Sequence, residues 1–210
     1  MTHDEQAPSN DGKQTGLEQD AEILKAYREV AKQSRWVPGE GQEAVEARIN
    51  LSNAFNRLAE LEERTGRNSE GLAARESATS LIHQVRQFTG EHVKLRLMEA
   101  AQLNSRGFTL REMENWKDAL DIYIELAELM DDGANGTPLA LYLMACAQDG
   151  IGDAQDTLGD PAARDAAWER ARALFQSCIH ATKTNPDPDF QMEPPHVLLD
   201  DVIAKQQEFI

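Results

Sequence analysis

From Leu17 onward the chain is a succession of runs in which apolar residues return every three or four positions. Each run is about twenty residues long and is cut by Gly, Pro or Asp-rich breaks. That recurrence lines one face of an α-helix, and no window of alternating apolar and polar residues competes as a strand. The first run, 17–34, carries Leu17, Ala21, Leu24 and Ala31 and ends at Trp36-Val37-Pro38-Gly39. The next, 42–64, carries Ala44, Leu51, Phe55 and Leu58 and stops at Thr65-Gly66. A third, 69–88, turns Leu72, Leu81, Ile82, Val85 and Phe88 inward, and a fourth, 91–113, does so with Val93, Leu97, Leu103 and Leu110. The fifth starts at Asn115-Trp116 and closes in the turn residues 131–136. Thr137-Pro138 and Asp160-Pro161 open the sixth and seventh runs with a capping oxygen before a proline, whose missing N–H has no intrahelical partner to lose. A last apolar segment, Val197-Leu198-Leu199 with Val202 and Ile203, predicts a short terminal helix. The expected class is all-α. Helices of this length on short loops fold back as antiparallel hairpins.

Charge narrows the partners. Thirty-seven acids against 21 bases give a net charge of −16, the wrong sign for neutralising phosphates, so neither nucleic acid nor an anionic membrane is expected. The excess is uneven: residues 113–210 hold nineteen acids and six bases. Residues 1–16 hold almost nothing to bury and read as a disordered acidic tail. The polar, acidic N-terminus is the opposite of a signal peptide, no run is long enough to span a bilayer, and Cys146 and Cys178 cannot staple a secreted scaffold; a cytoplasmic location follows as the expectation. Asn185-Pro186-Asp187-Pro188 and Pro194-Pro195 mark 184–195 as a Pro-rich linker before the 196–210 helix.

The hairpins repeat. Leu103, Gly107 and Leu110 precede a turn at Glu114-Asn115, then Trp116, Ala119 and Tyr123. Gly152, Gly159-Asp160-Pro161, Trp168 and Ala171 form a third copy after that second one, and Phe55, Ala59 and Thr65-Gly66-Arg67 a degenerate first one. This order of apolar, small, turn, small and aromatic residues resembles the tetratricopeptide repeat, with longer helices than its usual 34-residue unit. Arg164 departs from the pattern, standing where the family has Ala. The resemblance covers roughly 42–183, with hairpins at 42–88, 91–132 and 137–183. It implies a short right-handed solenoid, capped by helix 17–34 and by the C-terminal segment, whose first helices line a concave groove where partners dock.

No chemistry-bearing motif competes. The histidines show no i, i+4 pair for a helical zinc site. Gly150-x-Gly152 follows no strand and lacks the third glycine of a dinucleotide loop. Candidate calcium loops starting at Asp131 and Asn185 end in Tyr142 and His196 where a bidentate Glu is required. No catalytic residue, metal or cofactor is therefore expected.

By register, the groove positions implied by the resemblance are Asn56, Glu60 and Glu63 in the first copy, Asn104, Phe108, Arg111 and Glu112 in the second, and Asp149, Asp153 and Asp156 in the third. The three aspartates share a helical face by spacing alone. They read either as one wall of an acidic docking groove or as a solvated face that confers solubility. The leading expectation is a non-enzymatic interaction module that holds a basic or amphipathic peptide or helix. The alternative is a structural or regulatory subunit packing through its outer face or C-terminal segment. A homo-oligomer remains open, as does whether 196–210 caps the fold or reaches a partner.

Overall fold

Helix ends carry the repeat most clearly. A computed structural model describes residues 10–34, 41–90, 92–131, 136–184 and 194–207, with the backbone alone for 10–20. Its described residues form eight helices: α1 (Asn10–Ser34), α2 (Gln42–Arg64), α3 (Asn68–Thr89), α4 (Val93–Glu112), α5 (Trp116–Asp131), α6 (Pro138–Leu158), α7 (Pro161–Thr184) and α8 (Pro195–Gln207). No strand occurs among them. After α2, α4 and α6 the chain makes the same turn. Gly66, Glu114 and Gly159 take left-handed backbone angles, φ 76°, 57° and 84°. Each donates its N–H three residues back, and the following residue donates five back: Arg67 to Glu62, Asn115 to Leu110, Asp160 to Gln155. That pair of bonds satisfies carbonyls that a helix end leaves open, and the left-handed residue is normally glycine because a Cβ is crowded there. The next helices start on local acceptors. Thr137 Oγ1 accepts from Ala140 N at 3.3 Å, and Asp160 Oδ1 accepts from Ala163 N at 3.0 Å.

Packing divides the chain into two compact units, Met1–Leu81 and Ile82–Ile210, with the boundary inside α3. The periodicity of α3 is uninterrupted because one long helix serves two cores, Ala74 and Ala78 in the first unit and Ile82 and Val85 in the second. In the first unit α1 packs on α2. Ile23, Ala26 and Val30 of α1 meet Leu51, Leu58 and Ala59 of α2 and Ala74 of α3. Ser52 Oγ on α2 donates to the Ala78 carbonyl on α3 at 3.0 Å. In the second unit α4 packs on α5 and α6, α5 on α6, α6 on α7, and α7 on α8. The core there is Leu103, Leu110, Leu126, Met130, Leu143 and Phe175.

The small residues of the repeat make room for its aromatics. A Cβ on Gly107 would lie 2.7 Å from the Tyr123 ring, one on Gly150 would lie 2.4 Å from the same ring, and one on Gly152 would lie 2.2 Å from Trp168. The Gly150-x-Gly152 pair is thus a seat for two rings of neighbouring helices.

Three expectations shift. Residues 10–16, assigned to the tail by composition, belong to α1, since extending a formed helix fixes one residue per new hydrogen bond; residues 1–9 lie outside the described residues. The buried face of α1 is Ile23, Ala26 and Val30, while Leu24 and Ala31 are exposed; both stripes have helical spacing, so periodicity alone cannot choose between them. Phe88 and Val93, counted inward by spacing, are exposed at the end of α3 and the start of α4. Most of the Pro-rich linker, 185–193, and the last three residues, 208–210, also lie outside the described residues.

Candidate functional site

The acidic face of α6 is where the sequence-derived positions gather. Asp149 and Asp153 are one turn apart and both are mostly buried, so each carboxylate must find a partner or hold a proton. Lys205 of α8 supplies one, its Nζ 3.0 Å from Asp149 Oδ1 and 2.9 Å from Asp153 Oδ1. The same ammonium lies 3.0 Å from Asp201, one turn back on α8. Arg111 of α4 donates from a terminal guanidinium nitrogen to Asp153 Oδ2 at 2.7 Å, and Trp168 Nε1 of α7 donates to Asp153 Oδ1 at 3.2 Å. Asp153 thereby joins α4, α7 and α8 to α6. The Arg111 guanidinium also lies over the ring of Phe108, 5.2 Å from its centroid, and that ring is half exposed.

These surroundings act strongly on Asp149. Burial, reinforced by the negative charge of Asp153 and only partly offset by Lys205, pushes the Asp149 carboxyl up to about 6. Burial acts the other way on Lys205, but Asp149 and Asp153 outweigh it and raise the ammonium above its ordinary value. Arg111 is likewise raised against the effect of its own burial, by Tyr123, Asp153 and Asp149. Burial also raises the Tyr123 hydroxyl.

Not every expected position joins this cluster. Asp156 turns to Arg164, whose terminal nitrogen donates to Asp156 Oδ1 at 2.9 Å. Arg164, the departure from the repeat pattern, is buried and lies over the Trp168 ring at 5.4 Å, with a second bond to Asp165 at 2.8 Å. Its long side chain therefore covers the Trp168 ring. Asn104 is half-buried and Glu112 is exposed. Asn56, Glu60 and Glu63 belong to the first unit. There Glu63 is held at both oxygens by Arg75, at 3.1 and 2.8 Å, and its neighbour Glu62 is buried against Arg67. Glu60 is exposed, and Asn56 Oδ1 is buried with no hydrogen-bond partner.

Sequence reasoning missed Lys205. Its one available signal was rarity, since it is among only six bases in the ninety-eight residues from 113 to 210 and stands three residues after a β-branched apolar residue. It also missed a second buried acid, Glu99 of α4, which binds His83 Nδ1 at 2.8 Å and Arg86 Nε at 2.6 Å, both on α3. The His83 Nε2 is engaged by Gln87 at 2.7 Å, so this trio clamps two helices together. Among the described residues no group of three or more His, Cys, Asp or Glu is arranged to hold a metal ion. Nor is any helix there long and apolar enough to cross a membrane.

The described residues form eight helices packed against their neighbours, with a buried ion cluster joining four helices of the second unit, and they define an all-α protein. No protein-family model matches the chain, and no curated protein matches it. Among solved structures it is similar to BtubC (BKLC) from P. vanneervenii, at 14% identity over 91% of this chain and 85% of that one, with a TM-score of 0.47.

Proposed function

We propose that the chain is a non-enzymatic, cytoplasmic interaction module of the tetratricopeptide-repeat kind, a short right-handed solenoid with α1 and α8 as its end helices. It docks a basic or amphipathic helix on the face formed by Phe108 and Arg111 of α4 with Asp149 and Asp153 of α6. One observation carries this reading: that face already grips an ammonium presented by a helix, Lys205 of α8, with two carboxylates at 3.0 and 2.9 Å. Such a grip suits helix-in-groove recognition, where an apolar residue sets the register and a charge sets the partner. The same turn geometry recurring after α2, α4 and α6 supports the repeat assignment.

The test is a titration of the whole chain with a synthetic basic amphipathic helix at low salt, followed residue by residue. Shifts centred on Phe108, Arg111 and Asp149 are expected, with affinity about five- to tenfold lower for Asp149→Asn, the loss typical of one charged contact. Unchanged affinity in that variant at low salt, or shifts confined to other faces, removes the proposal. Asp149 is the residue to change because Asp153 also holds Arg111 and Trp168 in place. The subunit reading draws instead on the outer face or on the C-terminal segment, where Val197 of α8 is exposed.

A further inference from the structure

Helix α8 is an odd occupant for an acidic seat. It is 13 residues long, at the lower limit at which a helix holds together without tertiary support. Its buried side chains are Pro195, at its first position, and Val202, fully covered where α8 packs on α7. Val197 is exposed, and Leu198, Leu199 and Ile203 are only half-buried. The one fully covered side chain of the helix is thus Val202, and three residues later one ammonium reaches Asp149 and Asp153; the other apolar contacts are partial apart from Pro195.

The rest of the segment works against that attachment. Asp200, Asp201 and Glu208 bring three acids to the acid-rich half of the chain, against the single base Lys205. Asp201 also lies 3.0 Å from Lys205 as an i, i+4 pair, so the ammonium keeps an anion on its own helix when it leaves α6. Ten residues, 185–194, six of them acidic or proline, connect α7 to α8 in sequence, so a displaced α8 stays covalently attached. A competing helix with the same plug and the same cation, but without the acids, meets less repulsion on this face.

We infer that α8 is a built-in occupant of the docking seat, an autoinhibitory helix that an incoming helix displaces. The displacing partner carries a β-branched apolar residue in the place of Val202 and a Lys or Arg three positions later, with neutral or basic residues where α8 has Asp200 and Asp201. The inference rests on the docking reading for the identity of what replaces α8.

Two measurements on the full chain test it. Lys205→Glu is expected to lower amide-exchange protection across α8 by about tenfold or more while α4 to α7 keep theirs within about twofold, and Lys205→Arg is expected to keep α8 protected. The Lys205→Glu chain should then bind a synthetic peptide of residues 194–207 carrying Asp200→Gln and Asp201→Gln about tenfold more tightly than the wild-type chain does. The same peptide with Lys205→Glu added should not bind. Val202→Ser, which loosens the plug with every charge in place, gives the same comparison should Lys205→Glu perturb unit folding. If α8 stays protected in both chain variants, or loses protection only together with α4 to α7 in both, α8 is an integral part of the second unit; the inference falls and the docking reading stands. If α8 is released and the peptide still does not bind, the docking reading falls and takes this inference with it.

Discussion

Two carboxylates one turn apart on α6 share an ammonium, and what else each touches decides what its removal does. Asp153 accepts from Arg111, Trp168 and Lys205, which come from three other helices. Deleting it strands Arg111 and leaves Lys205 with Asp149 and Asp201 alone, each cation about a quarter exposed. Breaking a partly buried pair in this way costs about 3 kcal/mol, so Asp153→Ala should lower the unfolding free energy of the second unit by that amount, read as a lower urea midpoint at unchanged slope. A loss under about 1 kcal/mol would show that the cluster is solvated in solution. Asp149 has the opposite balance. Its burial and the neighbouring Asp153 outweigh Lys205 and push its carboxyl up to about 6, from an ordinary value of 3.8. A carboxyl raised in the fold takes up its proton there before the unfolded chain does. Its contribution therefore favours the fold below about pH 4 and is lost as pH rises through about 6. The stability of wild type relative to Asp149→Asn should rise as pH falls from 7 to 4, read from denaturant midpoints along that range. Parallel curves would mean that Asp149 titrates normally.

At the scale of elements, the three equivalent turns show where local chemistry suffices and where it does not. The positions Gly66, Glu114 and Gly159 align in sequence, and all three adopt the left-handed conformation with the same pair of hydrogen bonds. Glu114 is the only non-glycine with positive φ among the described residues, and a side chain in that region costs about 1 kcal/mol. Glu114→Gly should therefore raise stability by up to about 0.5 kcal/mol, because relief of that strain slightly exceeds the added freedom of the unfolded chain. A destabilised variant would show that the Glu114 side chain makes an unseen favourable contact. Helix starts and stops were legible for the same local reason: Thr137 and Asp160 carry their caps within three residues. The stacking of Tyr123 on Gly107 was legible as a pattern of sizes. The division inside α3 was not, because a helical stripe has the same spacing whichever core it faces. Nor was the occupant of the α6 face. Asp149 and Asp153 share a face by their spacing, but Lys205 lies 56 and 52 residues further along the chain, and only the return of α8 onto α7 brings it there. Arg164 was read as a weakness of the repeat for the same reason, since its partners Asp156 and Trp168 are fixed by packing between α6 and α7.

Over the whole molecule the charge of −16 acts on folding and on binding with opposite signs. After residue 112 nineteen acids face six bases, and three of those bases, Arg164, Arg172 and Lys205, are already committed to Asp156, Glu169 and the Asp149–Asp153 pair. The unpaired remainder repels itself across the surface, and that repulsion is long-ranged enough for salt to screen. Lys205 and its aspartates are largely shielded from solvent and are screened far less. Raising sodium chloride from about 0.05 to about 0.5 M shortens the screening length from roughly 14 to roughly 4 Å. The thermal midpoint should rise over that range as surface repulsion is damped. The affinity for a basic helix should fall over the same range, because its encounter with the acidic face depends on the field that salt removes. Chloride suits the experiment because sulfate would raise the midpoint through surface exclusion alone. A midpoint that falls with salt would mean that surface ion pairs, rather than excess negative charge, govern stability. An affinity that does not change would mean that the docked helix is held by apolar contact, with the Val202 site and not the aspartates as its anchor.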